Sequence, residues 1–253
     1  MRDIEDMSVL ITGGGSGIGE GTARHFANKG ALVTISGRRE APLRAVAADI
    51  GERCHVVVGD VTSAADRARM VTEAVAHGGG LEALLSNAGN MYRCELTELE
   101  ADQLLELFNV NVVGGMMLCR EALPHLAQSS GCIVFVGSVH TQRAFPSASP
   151  YAATKGALEA VTGVLAAELG PVGVRVGCVR PGGVLTEINV RTGTTTAEEQ
   201  KERLEGMGGL HALGRIGTAE EIAESFEYLV RAEWTTGNVL TVDGGLGLGV
   251  TYA

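Results

Sequence analysis

The order of apolar runs in this 253-residue chain predicts an α/β fold, a doubly wound parallel sheet of about seven strands with helices on both faces. Three observations carry that expectation. Short runs rich in Val, Ile and Leu recur at strand length, segments of helical spacing separate them, and the short runs are apolar at consecutive positions, as in strands covered on both sides. SVLIT (8–12) opens the series and stops at a glycine cluster; IGEGTARHFANKG (18–30) follows with helical spacing and a terminal Gly30. ALVTIS (31–36), CHVVVG (54–59), LEALLS (81–86), GCIVFVG (131–137), VRVGCV (174–179) and NVLTVD (238–243) continue it. Helical patterns lie between them, near 40–49, 63–77, 97–127, 150–170 and 219–231.

No composition break or linker divides the chain, so a single domain over 1–253 is expected. One stretch stands apart. Residues 183–212, rich in Thr, Gly and Glu, show no clear strand or core helix, and a segment that long in a compact domain reads as a lid over a substrate site. Within it, AEEQKERLE (197–205) reads as the solvated face of a lid helix.

Bulk composition excludes several function classes. No apolar run approaches the roughly 18 residues of a membrane helix, and MRDIEDM is too charged to open a signal peptide, so a cytoplasmic protein without membrane partners is expected. The five cysteines are scattered, with no C-x-x-C pair and no histidine at ligand spacing, which reads as free thiols and no metal. A net charge of −10 with no basic stripe would repel a phosphate backbone, so nucleic acid is not an expected partner. The 36 glycines, about twice the usual share, call for a local explanation.

TGGGSGIG (12–19) supplies part of it. The stretch sits between the first strand and first helix, where backbone N–H groups and the positive helix end can hold a pyrophosphate. It does not fit G-x-G-x-x-G in any register; its spacing is T-G-x-x-x-G-x-G, through Gly13, Gly17 and Gly19. Further motifs follow in order: DV (60–61), NAG (87–89), Asn111 in FNVNVVG, Ser138 in VFVGSVH, Tyr151 and Lys155 in YAATK, PGGVLT (181–186), LGRIGTAEEIA, and TGNVLTVDGG.

With these motifs the chain resembles, over essentially its whole length, the single-domain branch of the short-chain dehydrogenase/reductase (SDR) family. The resemblance implies a Rossmann-like fold and a nicotinamide-dependent oxidoreductase acting on CH–OH groups. It also implies a homo-oligomer, tetramer or dimer. In its terms Tyr151 is the general acid/base, Ser138 positions and polarises the reacting oxygen, and Lys155 lowers the tyrosine pKa and holds the nicotinamide ribose. Asn111 is similar to the family's asparagine that anchors a water chain to the lysine. The implied cofactor contacts are Gly13, Gly15, Ser16, Gly17, Ile18 and Gly19 in the loop, Asp60 and Val61 beside the adenine, and Asn87, Ala88 and Gly89 along the ribose. Pro181, Gly182, the Val184 backbone and Thr186 complete the set at the carboxamide end. Ser86 and Arg180 depart from the family pattern, each standing where an asparagine is common, and put local packing in question rather than activity.

The chemistry is sufficient in magnitude. A tyrosine of pKa ~10 is a poor base at neutral pH, and lowering it by about three units requires roughly 4 kcal/mol. A cation about 4 Å from the phenolate at an effective dielectric near 20 contributes about that much. Tyr151 and Lys155, four apart, share a helix face. Taken singly, each residue has an ordinary reading: an exposed helix pair, a strand-ending serine, an asparagine satisfying a broken helix turn, and for Asp60 a helix cap on TSAAD. Met91, Val139, His140, Phe145, Leu185, Ile188 and Met207 are the residues expected to line an apolar substrate pocket, with core or loop packing an equally good account of any one.

Cofactor preference is read from ISGRRE (35–40). Gly37 stands eighteen residues after Gly19, where NAD-preferring relatives place an aspartate on the ribose hydroxyls. An acid there would repel a 2′-phosphate, whereas Arg38 offers a guanidinium fork suited to one, and Arg39 stands ready to assist or to pair with Glu40. NADP(H) over NAD(H) is therefore expected, with Arg38 the main determinant. The leading function is interconversion of a secondary alcohol and a ketone. A 3-oxoacyl-[acyl-carrier-protein] reductase ranks lower because an acidic enzyme docks poorly with an acidic carrier, and a non-catalytic nucleotide sensor lower still, since both Tyr151 and Lys155 are kept.

Overall fold

The computed structural model describes residues 1–186 and 196–249. Its strands are β1 (Ser8–Thr12), β2 (Leu32–Gly37), β3 (Cys54–Val58), β4 (Ala83–Ser86), β5 (Cys132–Val136), β6 (Arg175–Pro181) and β7 (Asn238–Val242). Among the described residues these form one parallel sheet in the order β3-β2-β1-β4-β5-β6-β7. Consecutive apolar residues serve opposite faces. Val9 and Ile11 of β1 enter one core and Leu10 the other; Val134 and Val136 of β5 join the first, Ile133 and Phe135 the second.

Helices α1 (Gly17–Asn28), α2 (Glu40–Ile50) and α8 (Ala219–Arg231) cover the first face through Phe26, Leu43, Val46 and Phe226. Helices α3 (Ala64–Gly78), α5 (Gly114–Ser129) and α6 (Ser149–Leu169) cover the second through Met70, Leu118, Leu126 and Leu158. Helix α4 (Ala101–Phe108) precedes α5, and α7 (Ala197–Gly206) is the helix anticipated from AEEQKERLE. The α8 start is written locally: Thr218 accepts from the Glu221 N–H while Glu221 returns a bond to the Thr218 N–H, a capping box.

Two expectations are corrected. The helical pattern at 97–127 is not one helix: a 3₁₀ turn at Leu96–Glu98, α4, a π-helical turn at Asn109–Val113 and α5 share it. The wide turn carries Asn111 inward, where three side-chain hydrogen bonds hold it, and a single 3.6-residue stripe cannot continue through it. The cap of α3 is Ser63, whose hydroxyl accepts from the Asp66 N–H. Asp60, three residues before that cap, instead accepts from the Thr62 N–H and hydroxyl at 2.9 and 2.8 Å in a turn of its own.

Candidate active site

The sheet order reverses between β1 and β4, and the carboxyl ends of these two strands open the crevice where such sheets bind ligands. Thr12 ends β1; its hydroxyl accepts from the N–H groups of Asn87 and Ala88 at 3.0 and 2.9 Å, while Asn87 Nδ2 donates to the Thr12 carbonyl at 2.8 Å. This pins NAG against the glycine loop. Gly13 has φ of 68°, and a Cβ on Gly19 would stand 2.2 Å from the Gly13 carbonyl oxygen, so neither position admits a side chain. The first turn of α1 faces the crevice through Ser16, Gly17 and Ile18, and Ser16 makes no side-chain cap bond. A wall of bare backbone at a helix N-terminus fits the pyrophosphate of a dinucleotide.

Two adjoining cavities extend from the loop, of ≈ 210 and ≈ 630 Å³, with Gly13, Ser16, Met91 and Arg93 lining both. Gly15, Gly37, Arg38 and Arg39 line the larger, outer one, as does Tyr92. Arg39 does not pair with Glu40, which binds Arg44 at 2.6 Å; its guanidinium reaches Ser16 Oγ at 3.3 Å. Arg38 approaches Asp60 at 3.9 Å. Asp60 and Val61 themselves stand outside the residues lining the two cavities, Val61 being buried against α5 at Gly114.

The inner cavity brings Ser138, Tyr151 and Lys155 together, with Asn87, Ala88 and Gly89 on one side and Pro181, Gly182, Val184 and Thr186 on the other. Ser138 leaves β5; Tyr151 and Lys155 rise one turn apart on α6, and all three are buried. Lys155 Nζ donates to the Val136 carbonyl at 2.8 Å and lies 5.4 Å from the centre of the Tyr151 ring. Burial pushes the phenol up to about 12, while a hydrogen bond from Ser138 and the charge of Arg93 pull it back. Burial likewise lowers Lys155 to about 8, against the raising influence of Cys178 and Glu159. Each is thus pressed toward its neutral form. Asn111 accepts from the Asn90 N–H at 2.8 Å and donates to the Asn90 carbonyl and Thr154 hydroxyl, both at 3.0 Å, tying the NAG loop to α6.

Met91, Val139, His140, Phe145 and Met207 also line the inner cavity. Leu185 is half-exposed and outside that lining, and Ile188 lies outside the described residues. Two functional neighbours escaped the sequence reading. Arg93 enters the cavity from the loop after NAG and touches His140, whose other ring nitrogen is 3.0 Å from Ser138 Oγ. Arg180, read only as a departure from pattern, makes a two-pronged ion pair with Glu159 at 2.9 and 2.7 Å and bonds Thr141 Oγ1 at 3.1 Å; Thr141 donates to the Ser138 carbonyl at 2.8 Å. The loop that carries Ser138 is therefore braced from β6 and α6. Among the described residues no helix is long and apolar enough to cross a membrane, and no cluster of three His, Cys, Asp or Glu could hold a metal.

Comparison with known proteins gives this geometry its context. The family described as Enoyl-(acyl carrier protein) reductase matches residues 13–247. The chain is 34% identical to glucose 1-dehydrogenase of Gluconobacter oxydans over 248 residues, 95% of this chain and 91% of that one. It is 35% identical to L-fucose dehydrogenase of Bos taurus over 243 residues, 95% and 89% of the two chains. Among solved structures, 3-ketoacyl-(acyl-carrier-protein) reductase of Brucella melitensis, complexed with NADH, superposes with a TM-score of 0.88 at 31% identity, covering 96% of this chain and 99% of its own. A short-chain dehydrogenase/reductase of Caenorhabditis elegans with cofactor superposes with a TM-score of 0.90 at 28% identity over 98% of both. With these matches spanning nearly its whole length, the chain belongs to the short-chain dehydrogenase/reductase family and is an NAD(P)-dependent oxidoreductase acting on CH–OH groups.

Proposed function

We propose that this chain is a single-domain ketoreductase and secondary-alcohol dehydrogenase that prefers NADP(H), with Asn111, Ser138, Tyr151 and Lys155 as its working set and a lid near 183–212. The observation that carries the reading is the convergence of Ser138, Tyr151 and Lys155 in one buried cavity that opens onto the glycine crevice. When bound, the nicotinamide cofactor supplies the hydride acceptor or donor. Ser138 holds the substrate oxygen against Tyr151. In oxidation the ionised Tyr151 takes the hydroxyl proton; in reduction the Tyr151 phenol returns it to the carbonyl oxygen. Burial disfavours the phenolate, so the cationic Lys155 and the donors on the tyrosine oxygen must offset that cost. Asn111 holds the loop and helix that carry the set at a fixed spacing.

The NADP(H) preference rests on the missing carboxylate at Gly37 and on two guanidinium groups at the outer cavity. Arg38 would hold the 2′-phosphate and Arg39, lying across to Ser16, would assist it, with Asp60 3.9 Å from the Arg38 guanidinium. Exposed Leu105, Val113, Met116 and Val164 on and beside α4, α5 and α6 support a homo-oligomer, which light scattering tests. The protein would work in the cytoplasm.

Reduced-nicotinamide absorbance, followed with each cofactor against a panel of ketones and alcohols, tests the reading. Turnover with NADPH and its collapse in Tyr151→Phe are expected; no turnover on a broad panel would overturn it. A 3-oxoacyl thioester on an acyl carrier protein belongs in the panel, because the Brucella relative carries a 3-ketoacyl substrate on that carrier in its name and the matched family an enoyl one. The net charge of −10 favours the free ketone over the carrier-bound one.

A further inference from the structure

We propose that Arg93 and His140 form a positioning arm that sets the direction of the Ser138 hydroxyl, so that its hydrogen turns away from His140 and into the cavity it shares with Tyr151. The inference deepens the proposed function and rests on its assignment of Ser138 and Tyr151.

The polarity of the chain follows from its first member. A guanidinium has donors only and keeps its charge at any accessible pH. Arg93 Nη2 lies 3.1 Å from His140 Nε2, so that nitrogen accepts and the imidazole hydrogen sits on Nδ1. Nδ1 is 3.0 Å from Ser138 Oγ and donates to it, and the backbone N–H of His140 points at the same oxygen from 3.3 Å. A serine hydroxyl has two lone pairs and one hydrogen. With two donors on its acceptor side, its own hydrogen is directed away from His140 and into the cavity that Tyr151 also lines. Without Arg93, the imidazole could carry its hydrogen on either nitrogen, and the serine hydrogen could turn back to His140.

The arm is held at every joint. The His140 ring lies 4.4 Å from the Phe145 ring and meets the edge of Tyr151 at 5.2 Å and 85°. The Ser138 carbonyl accepts from Thr141, which the Arg180–Glu159 pair fixes in turn. Among the described residues, the charged and titratable groups around Tyr151 are Arg93 and His140 from the two loops and Lys155 from its own helix, with Glu159 and Cys178 behind the lysine. Lys155 donates to a strand carbonyl, whereas Arg93 and Ser138 both act to lower the tyrosine against its burial. The cation that the sequence assigns to this task thus has a second one opposite it.

Nitrogen-15 NMR of histidine-labelled protein tests the arm without substrate or cofactor. The His140 signals, identified by their loss in His140→Gln, should report the Nδ1–H tautomer; Arg93→Met should shift them toward the Nε2–H form, and Arg93→Lys, which restores a donor, should return them. Once a substrate is in hand, the acid limb of the pH profile for alcohol oxidation should move up by about one pH unit in Arg93→Met and in His140→Phe, and should stay near its wild-type position in Arg93→Lys. An Nε2–H tautomer in the wild type overturns the proposal whatever the variants do, as does an acid limb that moves in neither Arg93→Met nor His140→Phe. If the wild type turns over nothing, the proposed function fails, while the tautomer still decides the arm.

Discussion

The glycine loop and the catalytic cluster border one another in the inner cavity, yet they are made differently. The crevice beside the glycine loop is backbone: Gly13 and Gly19 leave no room for side chains, and Thr12 and Asn87 use main-chain partners to close it. The catalytic cluster is side chain: Arg93, His140, Ser138, Tyr151 and Lys155 reach the inner cavity from three segments, the first three linked by hydrogen bonds and Lys155 tied to the Val136 carbonyl. A backbone wall recognises what all dinucleotides have in common. A side-chain wall can be retuned one residue at a time, which suits the part of the site that distinguishes substrates.

Substitutions on either side can break or sharpen that contrast. The largest effect belongs to the inner cavity: Tyr151→Phe should reduce kcat by about 10²–10⁴-fold while leaving cofactor affinity, measured by fluorescence titration, nearly unchanged. Equal losses in both would mean the two regions are not separable. Gly19→Ala should do the reverse, weakening cofactor binding by about 10–100-fold, because the new methyl meets the Gly13 carbonyl at 2.2 Å and overpacking of this kind costs about 1–3 kcal/mol. Gly37→Asp is gentler. A Cβ there finds only Leu43, at 3.8 Å, so the carboxylate enters without strain and should shift the ratio of kcat/KM toward NAD(H) by about tenfold or more, through its repulsion of the 2′-phosphate. An unchanged ratio would remove the basis of the cofactor assignment.

The smallest effect concerns the support behind the crevice, where Glu227 on α8 meets His25 and Lys29 at the end of α1, together with Arg231. Burial raises this carboxyl, but the hydrogen bonds from Lys29, His25 and Arg231, with the charge of Lys29, outweigh it and hold it at about 2. Unfolded, it returns to its ordinary value of 4.5. Its stabilising contribution is therefore complete above that value and is lost as pH falls toward 2. Glu227→Gln should lower stability at neutral pH by about 2 kcal/mol, flatten the acid loss in a denaturant midpoint series, and leave substrate discrimination unchanged.

The same contrast explains what could be read from the sequence. Strand SVLIT and helix 219–231 stand where expected, because a both-faces-buried strand and a capped amphipathic helix are local patterns. The glycine loop was legible for a similar reason: backbone geometry writes itself as Gly at fixed spacing. The interruption of the helical pattern at Asn109–Val113 left no such mark, since nothing in NVNVV distinguishes a π turn from an α turn. Arg93 and Arg180 were missed because their meaning lies in partners 47 and 21 residues away. Arg39 was legible as a cation, but its choice of Ser16 over the adjacent Glu40 is a tertiary decision.

The π turn at Asn109–Val113 also bears on how the protein can diverge. An α-helix couples all its positions in rotational phase, so a length change at one end turns every residue beyond it by about 100°. A π turn absorbs one such increment, and here it separates α4, which faces the outer cavity through Gln103 and Glu106, from α5, which packs in the core beside α3. The mouth of the cavity can therefore acquire new residues without re-indexing the core, and the buried amide of Asn111 marks the boundary between the part that is free to drift and the part that is not.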